Sequence, residues 1–213
     1  MKNMIRVVVF GLIVILLANC NQKNTFIDLL SNNDINDFWK PYNSDDSLTW
    51  RYQNGILSTP GGNGDIVTKK EYDNFILEVE WMIENGGNSG IFYFVQEKDN
   101  KHMWETGPEF QIIDDENYPV EILENQKTGS CSDVLAPLKN ASNPPGKWNH
   151  TKIISKNGQI EHWLNGELML EFNLNSQSWK DSVAISKFSK DIYAKRLKGK
   201  IGLQDHGDSV YYR

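Results

Sequence analysis

Cysteine, positive charge and helical periodicity are all scarce in this chain of 213 residues. Its two cysteines are Cys20, which ends an apolar N-terminal stretch, and Cys131. If Cys20 carries a lipid, Cys131 has no disulfide partner in the mature chain, so a hydrophobic core must hold the fold. The formal net charge is −6, and the single basic cluster, KDIYAKRLKGK, is typical of a solvated loop. The sequence therefore argues against a nucleic-acid partner.

The N-terminal stretch MKNMIRVVVFGLIVILLANC has the features of an export signal. Lys2 and Arg6 precede an apolar run, residues 7–17, that is short for a membrane span. The small residues before Cys20 resemble a bacterial lipoprotein signal, in which cleavage leaves a lipid-modified cysteine. Asn19 replaces the usual Gly or Ala, so an ordinary secretory signal cut nearby is the alternative.

The sequence predicts three segments: a signal peptide over 1–19, a polar tether over 20–25 and one domain over 26–213. A lipid on Cys20 would hold the domain at the cell envelope, in the periplasm or at the outer membrane. The remaining residues, about 190, are enough to bury one substantial core.

Period-two alternation, interrupted by turn residues, replaces helical periodicity after residue 40. The segment FILEVEWMI alternates between an apolar and a partly polar face, whereas SGIFYFVQ is apolar on both faces and is predicted as a central strand. Asn-Gly pairs at 54–55, 157–158 and 165–166 predict tight hairpins, because two-residue turns need positive φ angles. Helix is predicted only near DINDFW and within 176–195.

About ten short strands joined by such turns predict an all-β fold of two stacked antiparallel sheets, a jelly-roll or related sandwich. The chain also has 7 tryptophans and 8 tyrosines, many for its size. Aromatic rings in an exported sandwich serve the core or stack on sugar faces, and composition alone leaves both uses open.

Six motifs in order carry a resemblance to a known family: GGNSGIFYF, ETGPEFQIIDD, TGSCSDVLAP, PPGKWNHTKI, IEHWLNGE and KGKIGLQDHGDSVYYR. Together they resemble the 3-keto-disaccharide hydrolase family, common among Bacteroidetes lipoproteins, over nearly the whole mature chain. The resemblance implies a concanavalin A-like jelly roll. Two departures stand out: Phe94 occupies a position where many members have Arg, and Ser130, Cys131 and Ser132 stand where apolar and aromatic groups are usual.

The resemblance implies hydrolysis of glycosides already oxidised at C3 of the sugar. A C3 ketone acidifies the C2 proton, so a base can remove it, the C1 substituent can be eliminated, and water can then add. Such a site needs a base, a donor to the oxyanion at C3, and an acid or water at the leaving group. A sugar oxidoreductase acting upstream would supply the keto substrate.

Glu109 and Gln111 share one face of the predicted strand in GPEFQIID, with Phe110 and Ile112 on the other. If the apolar pair faces the core, Glu109 is the first candidate for the base and Gln111 its hydrogen-bonding neighbour. Asp114 is a further catalytic candidate at the strand end, reachable through a bulge. The alternative is that Glu109 only solvates an open face.

The motif LQDHG supplies a second group of candidates. His206 is predicted as a proton carrier or oxyanion donor, and Asp205 beside it is a candidate substrate ligand. Gln204 shares the parity of His206 and is a candidate substrate ligand. A capped turn that uses Asp and His for its own backbone bonds is the competing explanation.

Four further residues are candidate substrate ligands. Asn88 and Ser89 precede the predicted central strand and could contact sugar hydroxyls, although the glycines around them also favour a tight turn. His162 lies in phase with apolar neighbours, where a packing role is more common, and Trp163 offers a ring on the opposite face.

Metal and cofactor signals are weak. No histidine pair has ligand spacing, and no cofactor is predicted. A Ca²⁺ ion on the loop oxygens of DDEN is conceivable but unsupported, because a solvated turn explains that run better.

Two other functions remain open from the sequence. A carbohydrate-binding lipoprotein would use the same face without a titratable base. A conventional glycan hydrolase would need two carboxylates across the bond. Gln111, and not a second acid, is the neighbour of Glu109 on its strand, which weakens that alternative.

Overall fold

The computed structural model describes residues 26–30, 35–97, 100–189 and 192–213. The predicted signal peptide and all six residues of the predicted tether, 20–25 including Cys20, lie outside the described residues. The described part contains these strands: β1 Trp39–Pro41, β2 Arg51–Gln53, β3 Ile56–Thr59, β4 Ile66–Thr68, β5 Phe75–Ile83, β6 Asn88–Val95, β7 Glu109–Ile113, β8 Asn149–Lys156, β9 Gln159–Leu164, β10 Glu167–Asn173, β11 Lys200–Leu203 and β12 Val210–Tyr212.

The strands form two antiparallel sheets, which confirms the predicted two-sheet sandwich. The five-stranded sheet has the order β1-β4-β11-β6-β7, and the seven-stranded sheet has the order β10-β9-β8-β5-β12-β3-β2. Helix α1, Gln177–Ala184, lies in the predicted helical region, and a short 3-10 turn, Ile35–Asp37, lies in DINDFW. Further 3-10 turns span Met103–Glu105 and Glu124–Gln126. None of the described helices is long and apolar enough to span a membrane.

The core lies between the sheets. Strands with one solvent face alternate strictly, as β8 and β9 show, and their inward side chains meet those of the opposite sheet. Among the side chains with no exposed surface are Leu57, Ile91, Phe110, Ile153 and Leu164. Cys131, the cysteine in the described residues, is free and forms no disulfide. The burial of apolar surface is therefore the main contribution to the stability of the fold.

The tight turns follow the predicted chemistry. Asn157 and Gly158 have φ angles of 52° and 83°, and Asn165 and Gly166 have 51° and 86°. Two successive positive φ angles are those of the type I′ hairpin turn that matches strand twist. The β8-β9-β10 meander therefore forms as predicted.

Strand β6 is the central strand that its apolar pattern predicted, with β11 on one side and β7 on the other. Its pairing with β11 shifts register between Lys200 and Gly202, and Phe94 opposite this shift has a φ of 60°. That bulge turns both the Tyr93 and the Phe94 rings into the core. Phe94, at the position where the resemblance implied Arg, is thus a packing residue.

Candidate active site

Glu109 lies on the outer face of the five-stranded sheet. Phe110 and Ile112 belong to the core between the sheets, so Glu109 and Gln111, on the opposite parity of β7, face outward. Their side chains are nevertheless buried, at 8% and 6% exposure, beneath the surrounding loops. The strand pattern predicted this orientation.

The Glu109 side chain lies directly over Gly90. Gly90 on β6 pairs with Gln111, and a Cβ atom at position 90 would stand 2.1 Å from Glu109 Oε1. Only glycine leaves room for the carboxyl group at this point of the sheet. The carboxyl group of Glu109 therefore packs directly against the backbone of β6 at Gly90.

Burial raises the pKa of Glu109 to about 8. The nearby Ser132 hydroxyl and the charge of Lys187 oppose this rise, whereas the charges of Asp133 and Asp65 add to it. The carboxyl group therefore holds its proton to a higher pH than an exposed glutamate does. Once ionised, it is a much stronger base than an exposed glutamate.

Amide groups form a connected network beside Glu109. Gln111 donates through Nε2 to Asn88 Oδ1 over 2.9 Å and accepts from Ser132 Oγ over 2.7 Å. Asn88 in turn donates through Nδ2 to the Tyr118 hydroxyl over 3.3 Å. These bonds fix the orientation of both predicted ligands, Gln111 and Asn88, on the face that carries Glu109.

The neighbouring strands continue this polar face. Leu203 and Ile66 pair with each other and point into the core, so Gln204 and Asp65, one residue beyond each, face outward. The backbone N–H of Gln204 donates to the backbone carbonyl of Gly90 over 3.0 Å. Gln204 Oε1 is buried and has no hydrogen-bond partner in the described structure. Gln204 therefore lies where the sequence predicted a ligand, with an unused acceptor.

His206 is exposed at the edge of the same face. Its ring centroid lies 6.5 Å from that of Tyr118, and its charge acts on the Asp65 carboxyl. This position agrees with a proton carrier between the site and solvent.

Asp205 is a structural residue rather than a substrate ligand, which corrects the prediction. Its carboxylate accepts hydrogen bonds from Thr59 Oγ1 and from the backbone amides of Gly62, Asn63 and Gly207, at 2.6 to 3.0 Å. It fastens the loop before β4 to the end of β11.

Asp114 is likewise a turn residue, and its predicted catalytic role is wrong on geometry. Its carboxylate accepts from the amides of Gly86, Glu116 and Asn117 at 2.8 to 3.1 Å. Burial raises its pKa, but these bonds outweigh that effect and lower it overall. The neighbouring Asp115 accepts from the Thr128 amide, so the DDEN run forms a bonded turn.

Ser89 and His162 lie in the interior between the sheets, which corrects both predicted ligands. Ser89 Oγ donates to the Gln204 carbonyl and shares a 2.8 Å bond with the Tyr212 hydroxyl. His162 Nε2 bonds the Tyr93 hydroxyl over 3.0 Å, and burial lowers its pKa to about 4. Both polar groups are satisfied by core partners, the alternative given above for His162.

Trp163 lies on the outer face of the seven-stranded sheet, away from Glu109. Its Nε1 donates to Glu161 Oε2 over 2.7 Å, and the Lys152 ammonium group lies 4.6 Å from its ring centroid. The prediction that it binds the same substrate is therefore wrong.

Several groups near Glu109 were not predicted from the sequence. His102 and Trp104 stack with centroids 5.0 Å apart, and Lys187 pairs with Asp133 beside the Trp104 ring. The aromatic and histidine in KHMWETG, next to the Glu109 strand, were an available signal. Lys187 comes from a segment without periodicity, so the sequence gave no signal that it lies near Glu109.

Two cavities lie away from this face. The larger, about 790 Å³, is bordered by apolar residues of both sheets and by the segment 26–30. Its charged lining residues, Asp28, Glu78, Lys156 and Arg213, are exposed. The smaller, about 140 Å³, borders the DDEN turn. Glu109 lines neither cavity. Among the described residues, no group of three His, Cys, Asp or Glu side chains converges as a metal site.

Comparison with known proteins decides the family. Residues 25–213 match the 3-keto-alpha-glucoside-1,2-lyase-like domain family. The chain belongs to this family. A 3-keto-disaccharide hydrolase of Bacteroides thetaiotaomicron is 32% identical over 208 residues, covering 82% of this chain and 72% of that protein.

Solved structures of proteins proposed to be glycosyl hydrolases are similar to this chain. One from Parabacteroides distasonis is 38% identical, with a TM-score of 0.82, and the match covers 86% of this chain and 88% of the other. A second from the same organism is 28% identical, with a TM-score of 0.62, covering 82% and 94%. This member of the 3-keto-alpha-glucoside-1,2-lyase-like domain family is a glycoside hydrolase-like enzyme.

Proposed function

We propose that this enzyme hydrolyses 3-keto-glycosides and that Glu109 removes the C2 proton. The observation that carries the proposal is the buried carboxyl group over Gly90, with its raised pKa, on a face lined by Asn88, Gln111 and Gln204. A strong base among amide groups fits abstraction of a proton next to a ketone. The relative named a 3-keto-disaccharide hydrolase supports the substrate class.

The proposed reaction has two halves. In the first, the Glu109 carboxylate takes the C2 proton, the electron pair forms an enediolate with its oxyanion at C3, and the C1–O bond then breaks. The aglycone leaves with a proton as an alcohol, and a 1,2-unsaturated 3-keto sugar remains. In the second, water adds to C1 and keeps one hydrogen as the new hydroxyl group. Glu109 returns its proton to C2, and the other water proton replaces the one that left with the aglycone.

The polar groups around Glu109 have defined parts in this proposal. The fixed amides of Gln111 and Asn88 orient the sugar hydroxyls, because their geometry is set by their own network before substrate arrives. The unpaired Gln204 Oε1 accepts from a sugar hydroxyl. His206, at the exposed edge, exchanges protons with solvent.

We also propose that the enzyme is exported and held at the cell envelope by a lipid on Cys20. The N-terminal motif LANC supports this placement. A sugar oxidoreductase would act before it, because the substrate must already carry the C3 ketone.

The proposal is tested by offering the purified domain 4-nitrophenyl 3-keto-glucoside and its unoxidised parent. We expect release of 4-nitrophenol from the keto substrate alone, because only the ketone acidifies C2. Cleavage of the parent at a similar rate would indicate a conventional glycan hydrolase. Binding of both without release would indicate a carbohydrate-binding protein.

A further inference from the structure

Asp65 is a second carboxylate on the face that carries Glu109. It immediately precedes β4, and the register of β4 and β11 places it next to Gln204 on the outer side of the sheet. Its Oδ1 accepts from the Asp205 amide over 2.9 Å, which fixes the side chain towards β11. In the described structure, Oδ2 accepts no hydrogen bond and is available to a ligand.

The two acids face the same outer side of the five-stranded sheet. The Glu109 carboxyl lies over β6, and the Asp65 carboxyl bonds an amide at the end of β11, so one to two strand spacings, roughly 5 to 10 Å, separate them. Two carboxyl groups that serve one glycosidic bond lie about 5 to 9.5 Å apart. Between the acids lie Gly90, which has no side chain, and Gln204 with its unpartnered Oε1.

We propose that Asp65 is a second catalytic residue, which protonates the leaving oxygen at C1 and then takes a proton from the attacking water. The inference rests on the proposed function and assigns the residue that protonates the leaving group in that reaction. As the C1–O bond breaks, the Asp65 proton goes to the departing oxygen and leaves Asp65 ionised. As water adds to C1, its proton goes to Asp65 and the Glu109 proton returns to C2.

The electrostatics of Asp65 agree with this role. Burial raises its pKa to about 6; the Asp205 amide bond opposes the rise, the Asp205 charge adds to it, and His102 and His206 lower it. The other ionisable groups that act on or feel Asp65 are Glu109, Tyr42 and Tyr212. A carboxyl group with this pKa can both give and take a proton near neutral pH.

The test compares Asp65→Asn with the wild type on two keto substrates. Methyl 3-keto-glucoside has a poor leaving group that needs a proton, and 4-nitrophenyl 3-keto-glucoside has one that leaves without help. We expect kcat/KM for the methyl glycoside to fall by about 10²- to 10⁴-fold, and that for the nitrophenyl glycoside by less than about 10-fold. The variant should still exchange the C2 proton with D₂O, because Glu109 is intact.

Asp114→Asn is the matched control, since Asp114 holds a turn through backbone amides and is not among the charges that act on Asp65. It should lower both rates by one common factor. An equal loss on both substrates in Asp65→Asn would overturn the inference while leaving the proposed function standing. Failure of the wild type to cleave either keto substrate would refute the proposed function itself and this inference with it.

If Asp65→Asn does not fold, the pH profiles of the wild type decide. The methyl glycoside requires one proton shared by Glu109 and Asp65, so its kcat/KM should be bell-shaped with limbs near pH 6 and pH 8. The nitrophenyl glycoside requires only ionised Glu109 and should rise to a plateau above about pH 8. Profiles of the same shape would overturn the role of Asp65.

Discussion

At the scale of single residues, reactivity in this enzyme depends on a carboxyl group kept away from water. Glu109 is held under loops and over Gly90, and its raised pKa follows chiefly from that burial. The same burial has a cost for stability, since the folded protein must either keep the proton or bury a charge. Catalytic strength and pH-dependent stability are therefore linked at this residue.

Glu109→Gln should change how stability depends on pH. Because the folded-state pKa of Glu109 lies above its unfolded value, the wild type loses stability as pH rises from about 4.5 to about 8. The glutamine variant does not ionise, so its urea midpoint should fall less between these pH values. Glu78→Gln, on the exposed face of the other sheet, is the control and should follow the wild type. Equal slopes for Glu109→Gln and wild type would show that Glu109 is not buried as described.

Gly90→Ala should damage catalysis through Glu109. The new Cβ would overlap Glu109 Oε1, so the carboxyl group must move, and we expect kcat/KM to fall by about 10²-fold. The measurement is a double-mutant cycle with Glu109→Ala, in which the effect of Gly90→Ala should vanish. An undiminished effect in the Glu109→Ala background would assign the loss to some other change.

The orientation of a side chain was predictable where strand alternation sets it. The role of a carboxylate was not predictable where backbone amides of a loop bind it. The pattern of β7 placed Glu109 and Gln111 correctly because polar and apolar residues alternate over 109–112. Asp114 and Asp205 have carboxylates that accept several loop amides, and sequence parity does not reveal this competition. Asp65 escaped prediction because it lies just outside a strand of three residues, too short to show a period.

At the scale of elements, local turn chemistry determined the hairpins, whereas distant pairing built the site. The Asn-Gly turns specify β8, β9 and β10 as neighbours. Strand β6, however, pairs with β11, more than a hundred residues later, and this pairing places Gln204 beside Gly90. No local pattern encodes such a contact, so the strands were predictable and their order across the sheet was not.

Gly166→Ala should test the turn chemistry without touching the site. The φ angle of 86° at Gly166 is unfavourable for alanine, although an added Cβ would meet nothing within 4 Å. We expect a loss of about 1 kcal/mol in the free energy of unfolding, measured by urea denaturation, with unchanged kcat/KM. Gly166→Asn should cost less, because asparagine tolerates positive φ. A larger loss in the asparagine variant would contradict the turn assignment.

At the scale of the whole molecule, the two sheets have different outer faces. The five-stranded sheet carries the candidate acids and amides under loops, whereas the outer face of the seven-stranded sheet carries exposed charges such as Glu78 and Lys156. The class of fold followed from strand patterning and Asn-Gly turns. Which of the two sheets carries the candidate site could not be predicted from the sequence, because that depends on the order of the strands in each sheet.

Removal of Cys20 should change where the protein is found. In cells that process lipoproteins, Cys20→Ala should move the full-length protein from the membrane fraction to the soluble fraction, because the acyl chains that hold it are lost. Immunoblots of the two fractions measure this shift, and Cys131→Ala, which alters the buried cysteine, is the control. An unchanged distribution in Cys20→Ala would rule out the lipid anchor.

The central claim is that Glu109 breaks the C2–H bond before the glycosidic bond breaks. It is tested most directly by the rate of 4-nitrophenol release from 4-nitrophenyl 3-keto-glucoside carrying hydrogen or deuterium at C2, with wild type and Glu109→Gln. The account predicts slower release from the deuterated substrate by the wild type, and a loss of at least about 10²-fold in Glu109→Gln. Equal rates on both isotopologues, together with full activity of Glu109→Gln, would contradict it.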